Sequence, residues 1–130
     1  MGDWASSPGP PLVTGAAMTP TARTKKLLEA DGYVVAIVEK WIPFSKPPRR
    51  LDLFGFIDLL AMRPGELIGV QVTSTSNISA RIHKIEQSPY RDWWVSTGSR
   101  LEVHGWSKKA QGKRKIWTLT RKVLASGQPR

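Results

Sequence analysis

The 130-residue sequence predicts an α/β (α+β) fold in which helices pack against a mixed sheet. Two observations lead to this prediction. Along the chain, one helix-like segment is followed by three strand-like, two helix-like and two strand-like segments. In addition, apolar runs lie on either side of short turn signals, a pattern typical of β-hairpins. A hydrophobic content of 40% over this length suits one domain with one core.

The domain is expected to span residues 19–124. Residues 1–18 are rich in Gly, Pro, Ser and Ala and contain one charged side chain, so we predict a flexible N-terminal tail. Residues 125–130 are predicted to form a short C-terminal tail.

The first predicted element is a helix at about 20–31. Thr19 is a good N-cap ahead of a proline, and Gly32 fits the C-terminal stop. Residues 33–42 are β-branched and aromatic and should form a strand. Residues 43–50 contain three prolines and three cations, which indicates a basic, semi-rigid loop.

The centre of the sequence predicts a hairpin. Its apolar arms are Leu53–Met62 and Leu67–Val72, and a Pro-Gly turn joins them. That turn places Asp58 roughly opposite Gln71, and alternation places Gln71 and Thr73 on one face. A buried carboxylate is costly unless it is paired, hydrogen-bonded or bound to metal, so the hairpin is a candidate site.

Helical spacing of Ile residues predicts a helix at about 77–87, and a second short helix is expected at about 89–97. Two further strands, Leu101–Trp106 and Ile116–Leu124, are expected to be joined by a basic loop of residues 107–115.

The charge balance favours a polyanionic partner. Twenty Lys and Arg against ten Asp and Glu give a formal net charge of +10, an excess most often associated with nucleic acid. The alternatives are a basic protein that is merely soluble, or one that assembles on an acidic protein. No apolar run approaches the roughly 20 residues of a membrane span, and there is no signal-peptide pattern. The absence of cysteine excludes disulfides and fits a cytoplasmic location.

Three oxygen donors lie at or near predicted strand ends: Glu39, Asp58 and Gln71. Oxygen ligands suit Mg²⁺ or Mn²⁺, which activate water and stabilise charge beside a phosphodiester. Asp52 is a second acidic candidate, although after two arginines it also fits a surface ion pair. The alternative for the hairpin residues is a structural hydrogen bond. The two histidines, His83 and His104, are interpreted as bystanders or DNA contacts.

The segment FGFIDLLAMRPGELIGVQVTS resembles the core of the PD-(D/E)XK nuclease superfamily, in its resolvase-like and phage-encoded branch. That pattern is an Asp on one strand, a tight turn, and (Glu/Gln)-x-Lys on the next strand. Asp58 matches the Asp and Gln71 matches the Glu or Gln, whereas Thr73 stands where the Lys would be. Shorter similar segments, VEKW, RIHKI and HGW, extend the resemblance over about residues 20–120.

The resemblance implies a restriction-endonuclease-like αβββαβ core and Mg²⁺-dependent hydrolysis of DNA in a bacterial or phage-infected cell. In many members it also implies a helical Glu before the first strand. Glu29 lies later in the first predicted helix than is usual for that residue, so we favour Glu39 for the role. Thr73 cannot act as a cation, so Lys84 on the following helix is expected to replace the Lys, with Arg81 as the other candidate. Small nucleases of this type often dimerise, so we expect a homodimer.

The sequence therefore predicts a metal-dependent DNA nuclease, possible substrates being branched or structured DNA. Its candidate catalytic residues are Glu39, Asp58, Gln71, Thr73 and Lys84. The candidate DNA contacts are all basic: Arg49, Arg50, Arg81, Lys108, Lys109, Lys113, Arg114 and Lys115. The alternative is a nuclease-fold protein that binds nucleic acid without cutting it. A weaker option is a structural or inhibitory protein that binds an acidic protein partner.

Overall fold

The structure of the chain is a computed structural model that describes residues 18–127. A short 3₁₀ turn, Thr75–Asn77, leads into the second of three helices. The elements are α1 (Pro20–Ala30), β1 (Val34–Ile37), β2 (Lys40–Ile42), β3 (Arg49–Leu51), β4 (Leu59–Arg63), β5 (Glu66–Ser74), α2 (Ile78–Glu86), α3 (Arg91–Ser96), β6 (Arg100–Gln111) and β7 (Arg114–Ala125).

Five of the strands form one mixed sheet in the order β1-β4-β5-β6-β7. Strands β5 and β6 are parallel, and the other neighbours are antiparallel. The crossover between the parallel strands contains α2 and α3, as a parallel pair requires. Strands β2 and β3 pair only with each other, in a separate two-stranded sheet. The predicted combination of a mixed sheet and helices is confirmed.

Helix α1 covers one face of the sheet. Thr19 caps it, since its side-chain oxygen accepts a hydrogen bond from the Ala22 amide at 3.1 Å. The helix ends at Ala30, one residue before the predicted end. On this face Leu28 packs in a core with Val35, Val70 and other apolar side chains of the sheet. Because Val70 faces α1, alternation turns its neighbour Gln71 to the opposite face.

A second core lies on that opposite face, where α2 and the segment before β4 contact the sheet. Its buried side chains are Phe56, Ile57, Ile78, Ile85, Leu101 and Val103. Helix α2 begins very close to β6: a Cβ at Gly105 would lie 2.4 Å from Ile78 and 2.9 Å from the Thr75 backbone. Only glycine fits this position, so the sequence allows α2 to begin directly over the sheet.

Two of the predicted strands are interrupted. The single strand predicted at 33–42 is wrong, since it divides into β1 and β2, which belong to different sheets. The first hairpin arm also starts later than predicted, at Leu59, because residues 52–58 form a turn in which Phe54 has a φ of 55°. In both cases the apolar run extends beyond the end of the strand itself. Periodicity does not record that point.

The predicted basic loop at 107–115 is also wrong. Strands β6 and β7 continue through it and pair from Ser107 with Thr118 to Gln111 with Arg114. We call residues 107–118 the basic ribbon. Neither strand has another neighbour there, so lysine side chains remain solvated on an exposed two-stranded ribbon. The sequence of this part of β6 and β7 is therefore as polar as that of a loop, which explains why a loop was predicted there.

The predicted N-terminal tail lies outside the described residues except for Met18, as do residues 128–130 of the predicted C-terminal tail. Strand β7 includes Ala125, so the strand extends one residue into that predicted tail. Between residues 18 and 127, no helix is long and apolar enough to cross a membrane.

Candidate metal centre

Three carboxylates meet at one end of the five-stranded sheet. Asp58 precedes β4, Glu39 lies two residues after β1, and Asp52 follows β3. One oxygen from each lies within 4.8 Å of the other two. The main chain holds two of the groups together, because the Val38 and Glu39 amides both donate to the Asp58 carbonyl, at 2.9 and 3.2 Å. We call Glu39, Asp52 and Asp58 the acidic cluster.

Asp58 is the buried member of the cluster, with 3% of its surface exposed. Its Oδ2 accepts hydrogen bonds from Gln71 Nε2 at 2.6 Å and from the Val72 amide at 2.7 Å. The prediction that Asp58 and Gln71 lie opposite each other on the hairpin is confirmed. The Asp58 carboxylate also lies close to those of Glu39 and Asp52, within the acidic cluster.

Gln71 brings an oxygen atom that has no partner. Its Nε2 donates to Asp58 and, at 3.4 Å, to Asp52. The Oε1 of the same amide is buried and accepts no hydrogen bond from the described part of the chain. A buried acceptor without a donor costs about 1–3 kcal/mol, so this atom requires an explanation. Nε2 is the end of the amide that faces the carboxylates, so a cation held by the cluster would supply the explanation if the amide turns Oε1 toward them instead.

The electrostatics of the cluster disfavour full ionisation. Burial raises the pKa of Asp58 to about 8, helped by a hydrogen bond to Asp52 and by the negative charges of Asp52 and Glu39, while the Val72 amide opposes the shift. Burial also raises the pKa of Glu39, with Arg50 acting in the opposite direction. Carboxylates this close together repel one another when they are ionised, and a bound divalent cation would offset that repulsion.

Two cations reach the edge of the cluster. Arg50 Nη1 lies 3.3 Å from Glu39 Oε1, and Lys84 Nζ lies 3.5 Å from Asp52 Oδ2. The structure therefore places Lys84 of α2 beside the carboxylates. Arg81, the other candidate, is half-buried on the same helix. Thr73 is buried two residues after Gln71, on the same face of β5 by alternation.

The sequence did not decide whether Asp52 is an acidic ligand or part of a surface ion pair. Asp52 is both a neighbour of Asp58 and the ion-pair partner of Lys84. The signal was the spacing of two Asp residues in LDLFGFID, but a regular strand was the wrong geometry. The turn at 52–58 brings them together, closed by a bridge between Leu53 and Ile57.

His104 is not a DNA contact. It is fully buried on the α1 face, and its Nε2 lies 2.8 Å from Glu102 Oε1. Glu102 also pairs with Arg121 at 3.2 Å and with Arg100. Sequence reasoning missed this network because Glu102 and His104 occupy alternate positions of a strand that looked like an ordinary hairpin arm. His83, in contrast, is exposed on α2.

Two basic projections leave the sheet at the end that carries the acidic cluster. In the strand register Ile37 lies opposite Leu59 and Ser74 lies beside Trp106, so β1 and β5 both terminate at this end of the sheet. The chain continues from β1 into the hairpin β2–β3, which we call the basic hairpin (residues 40–51). On the other side, the basic ribbon extends past the end of β5. By strand rise it is about 17 Å long.

The predicted DNA contacts lie mainly on these projections. Arg49 and Arg50 belong to the basic hairpin, and Arg81 belongs to α2. The remaining five are exposed on the basic ribbon: Lys108, Lys109, Lys113, Arg114 and Lys115. Residues 107–118 contain no carboxylate, and neither do residues 40–51.

The donor set fits a hard divalent cation. Three carboxylates and an amide oxygen offer only oxygen atoms, the ligands that Mg²⁺ and Mn²⁺ prefer, and Asp58 and Gln71 are both buried. The unpartnered Gln71 Oε1 is the observation of the structure that favours this fit.

Comparison of the chain with protein-family models, curated proteins and solved structures finds no match. Function must therefore be argued from the geometry of the acidic cluster and its surroundings.

Proposed function

We propose that the protein is a Mg²⁺-dependent DNA nuclease with a restriction-endonuclease-like core of the PD-(D/E)XK type. The element order supports this proposal. Elements α1, β1, β4, β5, α2 and β6 follow the αβββαβ order of that core, with the basic hairpin inserted after β1 and α3 after α2. The Asp58 and Gln71 positions that carry the sequence resemblance contact each other across β4 and β5.

The observation that carries the proposal is the acidic cluster beside the unpartnered oxygen of Gln71. Asp58, Glu39 and Asp52 would hold the ion together with Gln71. A divalent ion supplies an activated water and positive charge for the attacked phosphate. In the reaction a water would lose a proton to solvent as its oxygen bonds to phosphorus, the P–O ester bond would break, and the leaving alkoxide would take up a proton from solvent.

The surrounding residues have distinct roles in this proposal. The Val72 amide and the Gln71 amide hold the Asp58 carboxylate in place. Lys84 lies beside Asp52 and is exposed enough to contact a phosphate oxygen, which Thr73 cannot do as a cation. The two basic projections bind phosphates on either side of the scissile bond, contacts that position DNA without reading its sequence.

Cleavage of DNA in Mg²⁺ or Mn²⁺ tests the proposal, with linear duplex, single-stranded and four-way-junction substrates. Metal-dependent cutting is expected, and Asp58→Asn is expected to reduce its rate at least about a hundredfold, since a metal ligand contributes several kcal/mol. Asp92→Asn is the matched control, because this carboxylate is exposed on α3 and pairs only with its neighbour Arg91 among the interactions of the described residues. Equal loss in both variants would contradict the role of Asp58.

A second candidate function is DNA binding without cleavage. Thr73 favours it, because a hydroxyl stands where the resemblance expects a Lys. Intact DNA in every metal, together with salt-sensitive binding that survives Asp58→Asn, would support this function and exclude the nuclease. Sedimentation of the same samples, with and without DNA, tests the expected homodimer.

A further inference from the structure

The basic hairpin exposes aromatic side chains that the fold does not use. Phe44, in the turn between β2 and β3, has 92% of its surface exposed, and Trp41 in β2 has 48% exposed. Neither belongs to the two buried cores. The ring of Phe44 is therefore available to a binding partner, and that of Trp41 is available in part.

Cations surround these aromatic side chains. The charged residues of the basic hairpin are all positive: Lys40, Lys46, Arg49 and Arg50. Trp41 lies directly opposite Arg50 in the register of β2 and β3. The hairpin therefore presents aromatic rings and positive charges side by side, which complements a polyanion that also carries apolar, stackable groups.

Single-stranded nucleic acid has this chemistry. Its phosphates pair with Lys and Arg, and its unstacked bases pack against aromatic rings. In a continuous duplex the base faces are covered by their neighbours, so a duplex offers Phe44 no ring to stack on. The basic ribbon differs here, since its exposed cations suit the backbone of a duplex.

The basic hairpin starts at the acidic cluster. Glu39 immediately precedes β2, and Arg50 of β3 bonds to Glu39 at 3.3 Å. Phe44 lies five residues beyond Glu39 of the acidic cluster, which is at most about 17 Å of extended chain. That distance corresponds to about five nucleotides at the stacked spacing of one strand. A base on Phe44 would thus be close to the phosphate at the cluster.

We propose that the basic hairpin binds an unpaired segment of DNA by stacking a base on Phe44. The substrate would then be a duplex with a single-stranded flank beside the scissile phosphate. This inference rests on the proposed function, because it names the DNA structure on which that site would act.

Fluorescence anisotropy of the full chain in EDTA tests the inference without any cleavage. The probes are a blunt duplex, the same duplex with a single-stranded tail, and the tail alone. Phe44→Ala is expected to weaken binding of the tailed duplex and of the tail about tenfold, and to leave the blunt duplex within about twofold. Phe44→Tyr should restore binding, because tyrosine keeps a ring that stacks.

Trp93→Ala is the matched control, since Trp93 is an exposed aromatic side chain on α3, outside the basic hairpin. It is expected to leave all three affinities unchanged. Unchanged binding of the tailed duplex by Phe44→Ala would overturn the inference, as would an equal loss for all three probes. A change in sedimentation of the DNA-free Phe44→Ala protein would also overturn it, by assigning the hairpin to a contact between two copies.

The outcome is separable from that of the cleavage assay. Selective loss of tail binding together with intact DNA in Mg²⁺ would keep the hairpin role and remove the nuclease. Cleavage with no effect of Phe44→Ala would keep the nuclease and remove the hairpin role.

Discussion

Two polar clusters, each built around a buried carboxyl group, lie on opposite faces of the same sheet, and they balance their charges differently. On the α1 face, Glu102 contacts three cationic or hydrogen-bonding groups, His104, Arg121 and Arg100. This Glu102 network continues through Thr24 Oγ1, which lies 3.3 Å from His104 Nδ1 and accepts a bond from Trp106 Nε1 at 2.9 Å. On the other face, the acidic cluster sets three carboxylates against the more distant Arg50 and Lys84.

The pKa values of the two buried carboxyls move in opposite directions. Burial alone would raise the pKa of Glu102, but the hydrogen bond with His104, the charge of Arg121 and the hydrogen bond with Arg100 together outweigh it and lower the pKa. Asp58 contacts no such cation among residues 18–127, and burial raises its pKa to about 8. Burial is thus common to both groups, and the partners decide the sign.

The difference separates a cluster that the chain itself satisfies from one that it leaves incompletely paired. The Glu102 network is satisfied within the chain, so it ties α1 to β6 and needs no ligand. The acidic cluster sets three carboxylates against two cations at its edge, and the Gln71 oxygen has no donor in the described part of the chain, which costs stability in the metal-free protein. Perturbed groups of this kind are typical of functional sites.

The largest expected effect on stability is in the Glu102 network. Glu102→Gln removes the charge that Arg100 and Arg121 surround, and we expect it to lower the free energy of unfolding by about 3 kcal/mol. Urea denaturation measures the change. Glu86→Gln, at an exposed position of α2, is the control and should change stability by less than about 0.5 kcal/mol. A near-neutral Glu102→Gln would mean that the network contributes little.

An intermediate effect of opposite sign is expected in the acidic cluster. Asp58 has an ordinary pKa of 3.8 when unfolded and about 8 in the folded, metal-free chain. Between these values the folded state holds a proton that the unfolded state has lost, so stability falls as pH rises from about 4 to 8. Asp58→Asn removes this loss and should stabilise the metal-free protein by about 1–3 kcal/mol at pH 8, with little gain at pH 4.

Thermal unfolding at several pH values in EDTA measures the Asp58→Asn effect, and Asp92→Asn serves again as the control. Addition of Mg²⁺ at pH 8 should stabilise the original protein and leave the Asp58→Asn variant unchanged, because binding to the folded state adds stability. Parallel pH profiles for the two proteins would show that repulsion at Asp58 does not limit stability.

The smallest stability effect is expected at the exposed edge of the acidic cluster. Lys84→Met removes a partly exposed ion pair with Asp52, so stability should change by less than about 1 kcal/mol. Cleavage should nevertheless fall about a hundredfold if Lys84 Nζ stabilises charge at the phosphate. Lys26→Met, on the exposed side of α1, should change neither quantity. Full activity of Lys84→Met would indicate that Arg81, and not Lys84, stabilises charge at the phosphate.

Local sequence signals predicted the parts of the molecule that depend on neighbouring residues. Thr19 and Gly32 predicted the two ends of α1 to within one residue, because capping acts over a single turn of helix. The Pro-Gly turn fixed the pairing of β4 with β5, and strand alternation then placed Asp58 beside Gln71. Burial of a charge was enough to mark that pair as a candidate site.

The tertiary structure alone decided which distant groups complete each cluster. Asp52 joins Asp58 through an irregular turn, and Glu39 joins them because β1 pairs with β4. His104 reaches Thr24, 80 residues earlier, only because α1 packs over β6. The segment predicted as a basic loop forms the basic ribbon, because β6 and β7 supply each other's backbone hydrogen bonds there. Periodicity and turn chemistry act between residues close in sequence, whereas long-range pairing determines which buried charges find a partner.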